Sequence, residues 1–342
     1  MKAYRMFEWK KGGRLVDDME IPEPNAGEVL LKVGGNGICQ SDLHLMYEWE
    51  SSPPHLKIEL PMTVGHEIAG WIEKIGNGVT GLEKGLACVV TIAGCGRCRF
   101  CVNGYNNYCI NLEPQPGMGK DGGLAEYVVV NSNGVLPIGD IEPYKAAPLT
   151  DAGLTSLHAI KRIEHLLFPG ANVVVIGVGG LGHMAVMLLK SLYFVNVIAL
   201  DIKEKSLMFA KKLGADYNLL FNEESLREIN KIVKNKKVQV VLDFVGNGET
   251  ISLGAKVLER LGEIVVIGRG KGSFQFKDRA IPYGASISTT FGGTKAELFE
   301  LIELMKLFII EPVITKFNLE EIDSAFDKLK NNEITGRAVI IP

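Results

Sequence analysis

The wholly apolar run Val173-Val174-Val175-Ile176 leads without a break into Gly177-Val178-Gly179-Gly180-Leu181-Gly182, which opens onto the helical His183-Met184-Ala185-Val186-Met187-Leu188-Leu189. Buried strand, glycine turn, apolar helix: this order predicts a dinucleotide cradle. Gly177 permits the tight turn, Gly179 lets backbone approach a pyrophosphate, and Gly182 lets the helix pack on the strand. Gly180 and Leu181 complete the loop at the positive end of that helix. The next strand ends in Asp201, nineteen residues beyond Gly182, where a carboxylate would accept hydrogen bonds from an adenosine ribose. The same charge repels a 2′-phosphate, so NAD is expected over NADP, with Lys203 nearby acting in the opposite sense.

The texture around the cradle sets the fold class. Further apolar strands are expected at 197–200, 238–242 and 264–267, separated by helices over 205–213 and 251–260 and preceded by a helix over 152–167. Alternation of this kind predicts an α/β doubly wound parallel sheet, a Rossmann fold. Before Pro148 the chain instead reads as short strands broken by glycine, such as 28–33 and 124–130, which predicts a separate β-rich domain. At 342 residues two cores are expected. The boundaries fall at 1–152 for the β-rich domain, 153–289 for the dinucleotide domain and 290–342 for a return to the first, with a helix over 296–307 and a strand over 337–341.

A net charge of −3 with interspersed Lys and Glu offers no basic field for nucleic acid. The N-terminus lacks an apolar signal core, and no apolar run is long enough to span a bilayer, so a cytoplasmic protein with no membrane partner is expected. Six cysteines in such a chain point to metal rather than to disulfides. Cys95, Cys98, Cys101 and Cys109 have the spacing C-x₂-C-x₂-C-x₇-C, which suits a closed structural zinc site, with an iron–sulfur cluster as the rival chemistry. No proline follows the last cysteine and no second cysteine group exists, which argues against the cluster. Cys88 reads as a buried small hydrophobe. Cys39, His66 and Asp151 offer a thiolate, an imidazole and a carboxylate, a set that suits zinc and leaves its fourth corner open.

The stretch Gly65-His66-Glu67-Ile68-Ala69-Gly70, continuing to Gly76 and Val79, resembles the zinc signature of the medium-chain, zinc-containing alcohol dehydrogenases. The four-cysteine lobe, the glycine fingerprint and the chain length agree, so the resemblance covers the whole chain. Asp151, within Pro148-Leu149-Thr150-Asp151-Ala152-Gly153-Leu154-Thr155, stands where animal and plant members carry Cys, which is closer to the compact microbial branch active on secondary alcohols. The resemblance implies a GroES-like catalytic domain beside the Rossmann domain. It implies a catalytic zinc on Cys39, His66 and Asp151, with Glu67 behind it, able to approach the metal during ligand exchange, and Asp42 orienting His66. It also implies a relay through Ser41 and His44, Thr155 against the nicotinamide, and Gln40 and Arg337 near the pyrophosphate. Two zinc ions, NAD, an alcohol or ketone substrate and a homotetramer follow from it. Gln40 departs from the usual His or Arg, and Gly85-Leu86 from the usual Gly-Asp. A polyol, sugar or amino-alcohol dehydrogenase is the alternative within the scaffold. A quinone reductase is argued against by Cys39, His66 and Asp151. A zinc-ribbon protein sensing NAD is the alternative of another class. Trp49, Leu112 and Phe291 are candidates to line an apolar substrate pocket, while His55, His158, His165 and His183 have no supporting context.

Overall fold

In a computed structural model the protein is described over residues 1–53, 56–234 and 237–342, so His55 lies outside the described residues. The chain forms two compact units, Met1–Asp151 with Gly293–Pro342, and Ala152–Gly292.

The first unit begins with β1 (Ala3–Met6), β2 (Gly13–Val16), β3 (Glu28–Gly37), β4 (Met62–Thr63), β5 (Glu67–Ile75), β6 (Ala87–Val90), β7 (Gln115–Pro116), β8 (Gly119–Lys120), β9 (Tyr127–Asn131) and β10 (Val135–Pro137). Its main sheet has the order β10-β6-β5-β3, with β9 also on β3. Alternation along β3 and β9 puts Val29, Leu31, Val33, Val128 and Val130 on one face, where they bury against Ile68, Ile72 and Val90. Each such side chain contributes about 1.5–3 kcal/mol of burial. A second apolar cluster gathers Tyr4, Met6, Ile38, Leu45 and Met46 with Phe317, Ile322 and Phe326 from the returning segment.

The second unit holds β11 (Asn172–Ile176), β12 (Asn196–Asp201), β13 (Tyr217–Leu220), β14 (Val238–Asp243), β15 (Leu258–Val266) and β16 (Ser286–Thr289). They pair in parallel in the order β13-β12-β11-β14-β15-β16. Strand order reverses between β11 and β14, and the glycine loop leaves the carboxyl end of β11, where doubly wound sheets take their ligands. The apolar run on β11 is explained by full burial: Val173, Val174 and Val175 have no exposed surface.

The chain then returns as β17 (Ile314–Asn318) and β18 (Arg337–Ile341), extending the first unit's sheet to β3-β18-β17. β3 is antiparallel to both β5 and β18, with Gly37 opposite Glu67 on one side and Val339 on the other. The end of β3 therefore meets the beginnings of β5 and β18.

Several element boundaries differ from the sequence expectation. The helix expected over 152–167 is Ala152–Arg162, followed by a separate turn at Glu164–Leu166 ahead of Pro169. The helix expected over 251–260 is Gly248–Val257, begun by the Asn247 side chain, which accepts from the amides of Glu249 and Thr250. Leu258 instead starts β15 by pairing with Val238, and the long-range ladder overrides the local helical pattern. The edge strands β13, β16 and β17 were not anticipated, because edges carry polar residues that blur the apolar signal. No helix among the described residues is long and apolar enough to cross a membrane.

Candidate active site

The ladder junction delivers four side chains to one place. Two residues past β3 lies Cys39; His66 immediately precedes β5 and Glu67 opens it; Arg337 opens β18. Asp151 arrives at the end of the turn Ala147–Thr150, as the last residue of the first unit before the chain leaves it. Donor atoms of Cys39, His66, Glu67 and Asp151 all lie within 4.8 Å of one another. Cys39 Sγ is 3.4 Å and His66 Nε2 3.8 Å from Asp151 Oδ2. A tetrahedral zinc, bonded at about 2.3 Å to sulfur and about 2.0 Å to nitrogen or oxygen, needs ligand atoms about 3.3–3.8 Å apart. The donor set and its spacing fit that ion.

Asp42, fully buried, fixes two of these donors at once. Its Oδ2 accepts from the Cys39 amide at 2.8 Å and its Oδ1 is 3.0 Å from His66 Nδ1. The carboxylate thereby selects the tautomer that turns Nε2 toward the cluster. Ser41 Oγ sits 3.4 Å from that Nε2, while His44 lies in the next turn with its Nδ1 2.9 Å from Glu48 Oε1 and is partly exposed.

Behind the donors Arg337 Nε donates to Glu67 Oε2 at 2.9 Å, and its terminal nitrogen donates both to Glu67 Oε1 and, at 3.1 Å, to Asp151 Oδ2. A Cβ at position 37 would fall 1.7 Å from Glu67 Oε2, so only glycine there lets the carboxylate lie against the β3 backbone. Burial pushes the Glu67 carboxyl up to about 7, against the pull of the guanidinium. Burial opposes charge on His66 and Asp151 too. The carboxylates of Asp42 and Asp151 outweigh it and raise His66, and the bond and charge of His66 outweigh it and lower Asp151. Burial likewise disfavours the Arg337 cation, but Cys39, Glu67 and Asp151 hold it protonated.

The four cysteines of the lobe also converge within 4.8 Å, and all are free thiols. Cys98 and Cys109 Sγ are 3.9 Å apart, twice a disulfide bond and close to the edge of a zinc–thiolate tetrahedron, which is about 3.8 Å. Such spacing surrounds one ion and leaves no room for the several iron atoms and sulfides of a cluster. Amides of Arg97 and Cys98 bring Cys95 down to about 6, whereas burial pushes Cys109 up to about 11. Asn106 ties the lobe down by donating to the Ile92 carbonyl at 2.6 Å and accepting from the Lys295 amide at 2.9 Å. Cys88 is buried in β6, with its thiol pushed up to about 12.

In the second unit Gly177 has φ +86°, and a Cβ on Gly182 would fall 1.9 Å from the Gly177 carbonyl. Nothing lies within 4 Å of the place a Cβ on Gly179 would occupy, so backbone there faces open space that a pyrophosphate would fill. The helix Gly182–Leu192 starts at Leu181, next to Gly180, and turns its positive end to the same loop. Asp201, at the end of β12, accepts from the Val178 amide at 2.8 Å and from Lys203 at 2.9 Å, which fixes it beside the loop.

Other residues singled out in the sequence sit elsewhere. Arg337, expected near a pyrophosphate, opens the inner strand β18, is only 3% exposed and is engaged by the carboxylates of Glu67 and Asp151. Gln40 is exposed, with its amide 3.5 Å from the Leu329 carbonyl. Thr155 is buried in the helix Ala152–Arg162 of the second unit. Trp49 packs on the cluster around Tyr4 and Met46, Leu112 is half-buried and Phe291 exposed. His158 and His183 are buried, and His165 is exposed on a turn. Sequence reasoning missed the Glu67–Arg337 pair, Gly37 and Asn106; only the strand-end positions of Glu67 and Arg337 hinted at the first.

Comparison with known proteins accounts for both units. The alcohol dehydrogenase GroES-like domain matches residues 25–140, and the zinc-binding dehydrogenase domain matches residues 180–306. Together these are the two halves of a zinc-binding dehydrogenase. A NAD-dependent alcohol dehydrogenase of Sulfurisphaera tokodaii is 32% identical over 100% of both chains. The D-arabinose 1-dehydrogenase (NADP(+)) of Saccharolobus solfataricus is 34% identical over 96% of this chain and 94% of its own. The crystal structure of the alcohol dehydrogenase of Aeropyrum pernix covers 100% of each chain with a TM-score of 0.92 and 34% identity. The chain belongs to the zinc-containing medium-chain alcohol dehydrogenase family.

Two tests follow from this geometry. Gly182→Ala overpacks the loop and should cost about 1–3 kcal/mol, read as a lowered Tm, whereas Gly179→Ala should leave Tm within about 1 °C and weaken dinucleotide binding. Equal Tm losses would contradict the open space at Gly179. In the metal-free protein a proton on His66 Nε2 competes with metal for the same lone pair. Because His66 is raised above 6.5, zinc uptake should release protons and strengthen as pH rises through its folded value. An indicator-dye titration of the metal-free protein, compared with that of His66→Gln to subtract the protons released by the thiols, reads this, and equal release in both would speak against His66 as a ligand.

Proposed function

We propose that the protein is a zinc-dependent alcohol dehydrogenase that moves a hydride reversibly between primary or secondary alcohols and NAD, giving aldehydes or ketones. The observation that carries this reading is the convergence of Cys39, His66 and Asp151 at zinc-ligand spacing, in a chain whose other unit holds a dinucleotide cradle. Cys39, His66 and Asp151 would hold the catalytic zinc. When bound there, zinc supplies Lewis-acid chemistry that lowers the pKa of an alcohol hydroxyl. Asp42 keeps His66 in its ligating tautomer. Ser41, beside His66 Nε2, accepts the hydroxyl proton, and His44, at the exposed side, passes it toward solvent. NAD, held by the second unit, would supply the acceptor for the hydride leaving the carbinol carbon, whose C–H bond breaks as the carbonyl forms.

In the second unit Gly177, Gly179, Gly180, Leu181 and Gly182 would take the pyrophosphate and Asp201 the adenosine ribose, with Thr155 toward the nicotinamide. Two zinc ions per chain, the second on Cys95, Cys98, Cys101 and Cys109, belong to the same reading. Six free thiols support a reducing, cytoplasmic setting. A homotetramer rests on the family resemblance, and the edge position of β16 supplies unpaired backbone of the kind sheet extension uses. Sugar oxidation is the second reading, favoured by the 34% identical D-arabinose dehydrogenase.

Initial rates with primary, secondary and cyclic alcohols and aldoses, each with NAD and NADP, test the assignment; turnover confined to aldoses would transfer it to the second reading. Cys39→Ser and Asp151→Ala should each lower alcohol oxidation at least about a thousandfold, a transition-state loss of about 4 kcal/mol, while NAD binding by calorimetry stays within about twofold. Retained turnover in either variant refutes the ligand set. Asp201→Gly should shift the NADP-to-NAD ratio of kcat/KM about ten- to a hundredfold toward NADP, and an unchanged ratio would misplace the ribose.

A further inference from the structure

The donor cluster at the ladder junction contains one candidate too many. Cys39, His66, Glu67 and Asp151 all bring a donor atom within 4.8 Å of the others. Four protein donors close a tetrahedron and leave a structural site, while three leave a corner for substrate. The destination of the Glu67 carboxylate therefore decides which kind of site this is. We propose that Arg337, with Gly37 providing the room, holds the Glu67 carboxylate away from the metal and so keeps the fourth coordination position open. This rests on reading Cys39, His66 and Asp151 as a catalytic metal site, and it gives Arg337 a positioning role at the metal.

The geometry supports the proposal from three directions. Both Glu67 oxygens are taken by the fork of one guanidinium, which adds directional specificity to the charge pairing. The same guanidinium reaches only Oδ2 of Asp151, at 3.1 Å, so it grips one carboxylate from both sides and merely steadies the other. The carboxylate of Glu67 also lies where a Cβ at position 37 would overlap it, which fixes it on the β3 side of the cluster. Glu67 and Arg337 are 0% and 3% exposed. With the guanidinium removed, a buried carboxylate beside a divalent cation has the cation as its nearest compensating charge, and it would ligate it.

Cobalt(II) substituted into the purified full chain reports coordination through its visible absorption, and imidazole added to the cobalt protein reports whether a corner is open. Wild type should show an imidazole-dependent spectral change. Arg337→Gln should abolish that change, retain cobalt at least as tightly in chelator competition, and lower alcohol turnover about a hundredfold. Adding Glu67→Gln to Arg337→Gln should restore the imidazole response and recover at least about tenfold of the turnover. Gly37→Ala, which crowds Glu67 while keeping Arg337, should also lose the response, and the double variant Gly37→Ala/Glu67→Gln should regain it; this pair serves where Arg337→Gln fails to fold. An undiminished imidazole response in Arg337→Gln or in folded Gly37→Ala overturns the proposal, as does failure of Glu67→Gln to restore it. A role for Arg337 at a pyrophosphate would instead weaken NAD binding in Arg337→Gln with no rescue by Glu67→Gln. If cobalt-loaded wild type neither answers imidazole nor oxidises alcohols, the catalytic reading itself fails, whatever Arg337 does.

Discussion

Asp42 is the interaction on which the metal site turns. A buried carboxylate that accepts from the Cys39 amide and meets His66 Nδ1 locks a residue just past β3 to one just before β5. The antiparallel register supplies the coarse alignment, since Gly37 opposite Glu67 puts the end of one strand beside the start of the other. The carboxylate then supplies the fine one. A slip of one residue in that ladder would send Glu67 to the opposite face and break the His66–Asp42 contact, while the local Cys39–Asp42 bond would remain. Backbone pairing and side-chain chemistry therefore specify the same arrangement.

The charges around the cluster explain why a metal belongs there. Cys39, Glu67, Asp151 and Asp42 bring acidic groups into a largely buried space, and Arg337 is the cation that pairs with two of them. Buried charge of one sign is costly until it is compensated. His66 lies between Asp42 and Asp151, and despite burial their charges favour its protonated form and raise it. A dication held by Cys39, His66 and Asp151 would supply such compensation more fully. The glycine loop of the second unit differs: it presents backbone and a helix N-terminus, and Asp201 accepts from the Val178 amide beside it.

Much of this was legible in the sequence because it depends on local spacing. The glycine loop, the four cysteines and the buried run of β11 each announce themselves within about twenty residues, and their physical reasons are local. The open-site donors needed the resemblance, because nothing in the sequence relates Cys39 to Asp151 until the chain is folded. What stayed hidden shares one cause. Arg337 and Glu67 are 270 residues apart, and their bond depends on which strands flank β3. Gly37 reads as an unremarkable strand glycine until the carboxylate beside it is known. The end of the helix before β15 was misread because a ladder partner, Val238, decided it.

The two metal clusters therefore differ in how they depend on the fold. The lobe is drawn from fifteen consecutive residues, Cys95 to Cys109, and its backbone amides already point at its sulfurs, so closing it costs little chain entropy. The candidate open site draws on the end of β3, the start of β5, Asp151 at the exit from the first unit, and β18. Such long-range closure comes only when the surrounding sheet is formed. A site assembled from the whole first unit depends on the β3-β18 pairing, and the same pairing brings Arg337 to the Glu67 carboxylate.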